Sequence, residues 1–415
     1  MKLSSKKYVY YYFIIVRSNQ SLMVKYRCLF LFVFVVFGTA PVFSQGDNSL
    51  KFSGFIQIDG RFLETANDGY ESTVGVRRGF FKSTYTNEWG QAVMQVNLTE
   101  KGISIKDAYI KLQAPDVEWI NLTAGLFLRP FGYEIFYSGS ARETPERARV
   151  ITSIFPDERD VGAVLSLLAP KQSSFNGLKL EFGFVNGNGI AFEDKKKYGK
   201  LHKDLIGRLS YNKSLETVNF GAGASFYSGK VMLFEGFEAF EMANGDFRKM
   251  NLTGGDMIQR HVYGFEGQFK VKTVAGNTAV RAEYLFGTQP GLENTNVSNC
   301  TAGYLNGLPG NVYLRPFSGA YIYFVQDVIS PKHSVVFRYD YYDPNSKLSG
   351  NNLKTNGDVT YTDFGAGYMF NPSSSVRILA FYEWIANEKN NSVNSGKFQS
   401  DIKDNIFTVR LQYKF

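Results

Sequence analysis

The chain has 415 residues, 44% of them hydrophobic and 16% aromatic, and a formal net charge of +8. Positions 1–44 contain six Lys and Arg and no acidic residue; subtracting these six from the 46 basic residues leaves 40 against 38 acidic ones, a net charge of +2. This balance excludes a general nucleic-acid-binding protein, and a single cysteine after residue 44, Cys300, excludes an intrachain disulfide there.

Residues 1–44 are predicted to be a cleavable signal peptide. Lys25 and Arg27 precede an unbroken apolar run at 29–37, small residues follow, and we expect cleavage after Ser44. The apolar run is far shorter than the roughly twenty residues that a membrane-spanning helix needs. Residues 1–22 would then precede a true start at Met23, and residues 45–415 would form the mature protein.

The mature segment predicts about sixteen β-strands of roughly ten residues and no transmembrane helix. The fold class expected is all-β, a transmembrane antiparallel up-and-down barrel. The predicted strands span residues 51–64, 73–87, 89–100, 103–113, 119–128, 160–169, 176–186, 203–213, 217–228, 259–271, 276–287, 317–327, 332–342, 359–370, 375–386 and 404–415.

The connections between these strands alternate between short and long. Every second connection has only a few residues, whereas the others, at 65–72, 129–159, 187–202, 229–258, 288–316, 343–358 and 387–403, are mostly long and rich in Gly, Asn and Ser. One connection among the long ones, near Lys101, is an exception because it is short. This pattern is typical of a bacterial outer-membrane barrel, with short periplasmic turns and long outer loops.

The last strand, 404–415, alternates strictly: Phe407, Val409, Leu411, Tyr413 and Phe415 share one face. A half-buried strand of a soluble sandwich would also alternate. An aromatic residue at the final position instead favours insertion into the outer membrane of a Gram-negative cell, because the bacterial insertion machinery recognises such an end.

The same alternation in the other strands separates an apolar outer face from a polar inner face. Charges predicted to face the lumen are Asp59, Arg61, Asp107, Lys111, Arg129, Arg281, Arg338 and Arg377. Acidic residues such as Glu181, Glu266, Glu283, Asp340 and Glu383 share this face with them, so the whole wall is balanced in charge. A sixteen-strand barrel is wide enough to hold a water-filled channel.

Particular segments resemble the phosphate-selective porin O and P family. They are GLFLRPFGYE followed by an arginine-containing loop and PDERDVG within 124–162, then GFVNGNG and KDLIGRLSY up to Tyr211, the opening SGFIQIDGRF, and the closing VRLQYKF. The resemblance covers essentially all of the mature chain. It implies a sixteen-stranded porin, commonly a homotrimer, whose third outer loop folds into the barrel and narrows it.

That third loop, 129–159, is the longest outer connection and is the expected constriction. Arg142, Arg147, Arg149 and Arg159 could contact anions there, because guanidinium groups suit phosphate and carboxylate. They could equally pair with the acidic residues of the same segment and pin the loop to the wall. A second basic patch, Lys195, Lys196, Lys197 and Lys200, is expected at the channel mouth, as a solvated surface, a lipopolysaccharide contact or an attractor of anions.

The function predicted is passive diffusion of small hydrophilic solutes through an outer-membrane channel, with mild anion or phosphate preference at most. The expected partners are outer-membrane lipid and lipopolysaccharide, small solutes or inorganic anions, and two further copies of the chain, without cofactor, metal or nucleic acid. An adhesin or structural barrel with a closed lumen is the main alternative. A barrel hydrolase is disfavoured, because His202, His261 and His333 lie on separate elements.

Overall fold

The structure is a computed structural model, and it describes residues 48–65, 69–156, 158–187, 189, 202–295, 304–305, 308–391 and 397–415. No helix within these residues is long and apolar enough to cross a membrane. The predicted signal peptide lies outside the described residues, so its cleavage stays a prediction.

Sixteen antiparallel strands form one closed barrel, as the sequence predicts. Each strand pairs with its neighbours in the chain, and the last strand pairs with the first from Phe55 with Lys414 to Leu63 with Ile406. The strands are β1 Ser49–Glu64, β2 Tyr70–Asn87, β3 Gly90–Thr99, β4 Gly102–Leu112, β5 Ile120–Leu128, β6 Arg159–Leu168, β7 Leu178–Val185, β8 Asp204–Ser214, β9 Val218–Met232, β10 Met257–Thr273, β11 Gly276–Leu292, β12 Val312–Asp327, β13 His333–Asp343, β14 Tyr361–Phe370, β15 Val376–Asn387 and β16 Ile406–Lys414.

All seven connections at one end of the barrel are short, and we call this the short-turn end; the other is the long-loop end. The main difference from the predicted boundaries lies at the long-loop end, where β9, β11 and β12 extend four or five residues further than expected. These extensions contain residues that break the alternation, such as Pro290 and Gly291. They are strands because those of β11 and β12 pair with each other and that of β9 pairs with β10. The predicted loop 229–258 also contains a hairpin, Ala239–Ala243 with Asp246–Lys249, whose first strand pairs in parallel with Val312–Leu314.

The outward face of the barrel is apolar, as the alternation predicts. Phe182, Ile322, Phe337 and Leu411 are between 42% and 49% exposed, although they belong to residue types that are usually buried. Such a band around the barrel is what a lipid environment requires, because lipid-facing side chains of a membrane barrel must be apolar. The exposed Trp89 and Trp119 lie at the short-turn end, and Trp384 lies near the long-loop end.

Two β-bulges interrupt the alternation on neighbouring parts of the wall. In β2 the pairing passes from Arg78 to Val76 across Gln57 and Ile58 of β1, so Arg77 is an extra residue. In β4 the pairing passes from Asp107 to Ile105, so Lys106 is extra. A bulge re-aims side chains, and both bulged cations lie on the inner side with their neighbours.

The connection between β5 and β6 folds into the barrel, as predicted for the third outer loop. It contains a short helix, α1, at Arg149–Ile154. Val150, Ile151, Ile154 and Phe155 of this segment are fully buried in a core that includes inward side chains of β8–β13. The loop therefore carries its own apolar core inside the barrel, where the alternation predicts only polar surface.

Two glycines of the wall make room for this core. A Cβ atom at Gly264 would lie 2.9 Å from the Phe131 ring, and one at Gly319 would lie 2.5 Å from Val150 Cγ2. Both distances are shorter than van der Waals contact. The loop therefore packs against β10 and β12 more closely than any other residue type would allow.

The outer loops also pack on one another at the long-loop end. The buried Arg315 forms an ion pair with Asp358 at 2.8 Å and donates to Thr355 Oγ1. Two 3₁₀ helices, Gly350–Asn352 and Asn356–Asp358, lie in this region, and Leu348, Leu353 and Phe398 form a further apolar cluster. By contrast, the connections after β1 and β3 are short.

Candidate functional site

A cavity of about 550 Å³ lies between the inserted loop and the inner face of β2–β7. We call β2–β7 the open wall, and β9–β16, against which the loop packs, the covered wall. The cavity is thus displaced to one side of the barrel. It is lined from the open wall by Arg78, Phe80, Lys82, Lys111 and Lys179, among others, and from the loop by Phe136, Arg142 and Glu146.

Cationic side chains dominate this cavity. Nine lysines and arginines line it against four carboxylates, and the difference of nine minus four is a formal charge of +5. The cations are Arg77, Arg78, Lys82, Lys106, Lys111, Arg142, Arg147, Arg159 and Lys179; the carboxylates are Asp107, Glu146, Glu158 and Glu181. The charge balance expected for the whole wall therefore does not hold for the cavity.

Arg142 is the loop arginine whose guanidinium is least compensated. Its side chain is buried and lines the cavity, and its Nε has no hydrogen-bond partner. Burial, together with the nearby charges of Arg147 and Arg78, lowers the pKa of the Arg142 guanidinium to about 9. It is still protonated at neutral pH, so a buried cation with an unused donor faces the cavity.

Arg147 and Arg159 are predicted anion contacts that the structure places in ion pairs. Arg147 Nε lies 2.6 Å from Glu158, and its other nitrogens donate to loop carbonyls, among them that of Ile135 at 3.1 Å. Arg159 Nε lies 2.7 Å from Asp107. Both residues line the cavity, but their strongest donors are already engaged, so they hold the shape of the loop.

Arg149, the fourth loop arginine, lies away from the cavity against the covered wall. Its Nε donates to Asp363 at 2.9 Å, its backbone N–H donates to Asp340, and its guanidinium lies 4.2 Å from the Tyr361 ring centroid. Burial opposes the charge, but Asp363 and Asp340 outweigh it and raise the pKa of Arg149. Arg149 therefore has the alternative role expected for the loop arginines, which is to pin the loop to the wall. Its partners are acidic residues of the wall and not those of its own segment.

Other loop groups are held by the covered wall in the same way. The Glu283 carboxylate accepts the backbone N–H groups of Tyr133 and Glu134 at 2.5 Å each. Arg281 donates to Glu143 at 2.6 Å and also to the Tyr137 hydroxyl. These contacts use acidic and basic residues of the wall together, which leaves little net charge on that side.

Four further predicted lumen charges point inward. Arg338 pairs with Glu383 and donates to the Glu146 carbonyl, and Arg377 donates to three loop carbonyls at 140–142. Asp59 is buried and accepts a bidentate pair of hydrogen bonds from Arg410. Arg61 lies on the same face of β1 and is half-buried.

Arg129, the other predicted lumen charge, does not border open lumen. It is fully buried at the base of the loop and pairs with Asp160 at 2.9 Å. It belongs to the anchoring of the loop.

Several cations of the cavity were not predicted from the sequence. Arg77 and Arg78 were not predicted because two consecutive inward residues contradict strict alternation, and the bulge that permits this is a property of the paired strands. Lys106 was missed for the same reason. The adjacent arginines in the segment VRRGFFKS could have indicated the bulge. Strict alternation would turn one of them toward lipid, where an arginine side chain is energetically costly. Lys82 then follows from Arg78 by alternation.

The predicted mouth patch, Lys195, Lys196, Lys197 and Lys200, lies outside the described residues, as does Cys300. All three histidines are described: His261 and His333 are on the outward face, where they contact Ser228 and Tyr368, and His202 Nδ1 lies 3.4 Å from Asp204. Among the described residues no group of three or more His, Cys, Asp or Glu could hold a metal ion.

Comparisons with known proteins show similarity in fold. No protein-family model matches the chain, and no curated protein matches it. The structure of in-vitro folded OmpT, an outer membrane protein of Vibrio cholerae in its trimer form, is 11% identical, with a TM-score of 0.52, and the match covers 89% of this chain and 99% of that one. OmpF of Salmonella typhi in complex with daunomycin is 13% identical, with a TM-score of 0.53 and coverage of 89% and 98%. At these identities the likeness concerns the barrel fold alone, and the resemblance to the phosphate-selective family stays a prediction.

Proposed function

We propose that the chain is an outer-membrane porin that lets small hydrophilic solutes diffuse passively, with a preference for anions. The observation that carries the proposal is the cavity beside the inserted loop, with a formal charge of +5, inside a closed barrel with an apolar outer face. Cations that line a narrow passage with low-dielectric walls raise the local concentration of anions and lower the barrier to their passage.

The preference for anions is assigned to the open wall and Arg142. Lys82, Lys111 and Lys179 lie toward the short-turn end, and Arg77 and Arg78 lie nearer the middle of the barrel. This arrangement places cations along the length of the passage. It modifies the expectation from sequence, in which Arg147, Arg149 and Arg159 would act together with Arg142.

The surroundings of the protein follow from the same proposal. The long-loop end would face outward and contact lipopolysaccharide, and the short-turn end would face the periplasm, with the signal peptide directing export. A homotrimer is proposed on the resemblance stated above and on the trimer form of the V. cholerae protein with the same fold. No catalytic role is proposed, since the histidines lie apart from the cavity.

A barrel that serves adhesion or structure is the second candidate. It is favoured by the packing of the loop, whose apolar core fills the space against the covered wall. The cavity on the open wall is the feature that argues against a closed lumen, since it remains after this core has formed.

Reconstitution into planar lipid bilayers tests the proposal. We expect stepwise, ohmic conductance, and a reversal potential in a KCl gradient that shows chloride to be more permeant than potassium. Replacing Lys82, Lys111 and Lys179 together by Gln should lower the chloride-to-potassium permeability ratio several-fold, whereas Lys171→Gln in an exposed turn should leave it unchanged. A barrel that does not conduct would refute the porin. A channel that prefers cations would refute the assignment of anion preference to the open wall and Arg142.

A further inference from the structure

The cavity contains aromatic side chains beside its cations. Phe55, Phe80, Tyr109, Phe127, Phe136 and Tyr137 all line it. The alternation of the wall strands places Phe55, Phe80 and Tyr109 on the inner face, where a channel for inorganic ions would gain nothing from a phenyl ring. Phe55 and Phe127 are buried, and Phe55 packs on Phe80 with ring centroids 4.9 Å apart, so these rings already have partners. Aromatic side chains are costly to expose to water, so only a ring that stays exposed in the cavity calls for a further partner.

Phe136 is the aromatic residue of the loop that is most open to the cavity. It is 37% exposed although it lies inside the barrel. The Arg208 guanidinium lies 5.1 Å from its ring centroid, and Arg208 is itself held by Glu266 at 2.5 Å and by Glu181 at 3.6 Å. Since the ring remains exposed with Arg208 in place, part of its surface is available to a solute.

Arg142 supplies an independent feature of the same cavity. Its Nε is buried and has no hydrogen-bond partner, and the neighbouring charges of Arg78 and Arg147 repel it. An anion beside the Arg142 guanidinium would reduce this repulsion, because charge-assisted interactions with guanidinium groups are strong. The volume of about 550 Å³ lies in the range of roughly 300–1,000 Å³ that small-molecule sites occupy.

We infer that the cavity selects organic anions in which a planar ring is attached to a phosphate or carboxylate, with the anionic group at Arg142 and the ring on Phe136. This inference rests on the proposed function, because it names the class of solute that the channel favours. Inorganic phosphate would use only the cationic part of the cavity, whereas a ring-bearing anion uses both parts. Phe136 is then a specificity-determining residue and Arg142 the anion contact.

Binding of two phosphate monoesters to the folded protein in detergent micelles tests this inference. Phenyl phosphate and methyl phosphate carry almost the same charge at pH 8, since their second pKa is about 6, and they differ in the ring. In ligand-observed NMR titrations we expect phenyl phosphate to bind about fivefold more tightly, as ring–ring contacts contribute beyond the area they bury. Arg142→Gln should weaken the binding of both esters.

Two phenylalanine variants separate the ring contact from general packing. Phe136→Ala should abolish the preference for phenyl phosphate and leave the affinity for methyl phosphate unchanged. Phe184→Ala removes a ring that is 51% exposed on the outward face of β7 and should change neither affinity. Equal affinities of the native protein for the two esters, or a preference that survives Phe136→Ala, would overturn the inference.

The binding measurement does not depend on conductance. A protein that conducts with anion preference but binds both esters equally would refute the ring-bearing solute and leave the porin standing. A protein that prefers phenyl phosphate through Phe136 but does not conduct would refute the porin and leave the binding site standing.

Discussion

The open wall and the covered wall have the same fold but use their charged residues differently. On the covered wall, acids and bases pair with each other or with the loop, as Arg338 does with Glu383 and Asp363 does with Arg149. On the open wall, Lys82 and Lys111 line the cavity, and no ion pair is found for either among the described contacts. Arg78 and Lys179 of the open wall are themselves paired, with Glu146 and Glu181, so the two walls differ in these few unpaired lysines and not in all their charges. Where the loop packs decides which cations remain available to solutes.

The largest effect should follow from breaking a buried ion pair of the covered wall. Glu383→Ala leaves Arg338 buried without its carboxylate, since the side chains of the pair are only 3% and 9% exposed. Removal of one partner of a buried pair costs about 3–5 kcal/mol. Urea unfolding in lipid vesicles should show this loss, and Glu118→Ala, which breaks the exposed pair with Lys171, should show no measurable loss.

A smaller effect should follow from filling the space that Gly319 leaves for the loop. Gly319→Val would place a side chain against Val150 and should cost about 1–3 kcal/mol, because overpacking forces neighbouring groups to move. Since the displaced segment narrows the lumen, single-channel current should also become larger or noisier. Gly267→Val, where a Cβ meets no atom within 4 Å, is the matched control; an unchanged current in Gly319→Val would show that the loop does not limit conduction.

Two loop arginines should separate selectivity from anchoring. Arg142→Gln is expected to lower the anion preference with little loss of stability, because its charge is poorly compensated in the folded state. Arg149→Gln is expected to lower stability with little change in reversal potential, because its guanidinium is held by Asp363 away from the cavity. Unfolding free energy and reversal potential should both be measured for both variants. Equal shifts in reversal potential would contradict the separation of a selective open wall from an anchoring covered wall.

The last prediction concerns pH. Burial opposes the ionisation of Glu158, but the charge and hydrogen bonds of Arg147, with Arg159 and Arg142, outweigh it and lower the pKa of this carboxyl to about 2. A lowered pKa means that the stabilisation is present above the ordinary pKa of about 4.5 and is lost as the pH falls toward 2. The unfolding free energy of Glu158→Gln should therefore differ from that of the native protein at pH 6 and approach it near pH 2; a constant difference would remove Glu158 from the anchoring network.

Much of the barrel could be predicted from the sequence, because each strand of a membrane barrel must alternate apolar residues that face lipid with polar residues that face the lumen. Apolar and polar residues alternate in strands such as β16, and the connections alternate in length, so all sixteen strands and the inward direction of Asp59, Arg281 and Arg338 follow from the printed residues. The prediction is least accurate at the long-loop end. There β11 continues through Pro290 because strand pairing, and not lipid, holds it.

The loop was predicted to enter the barrel, but its contacts could not be predicted. Arg149 and Asp363 are separated by 214 residues, and no local pattern indicates that they meet. The apolar residues Val150 and Ile154 gave no sign of an internal core, since a short apolar segment in a loop fits many surroundings.

The sequence by itself determined the number of strands and the face that each presents to lipid, because these depend on alternation and length along the chain, while the entry of the third outer loop into the lumen was expected from the family resemblance. Only the tertiary structure decided which wall the loop covers and which charges remain open to solutes. That choice depends on contacts between distant residues, on glycines that admit the loop, and on two bulges that turn Arg77 and Lys106 inward. A charge balance counted over the whole chain could not show that cations outnumber carboxylates in one cavity.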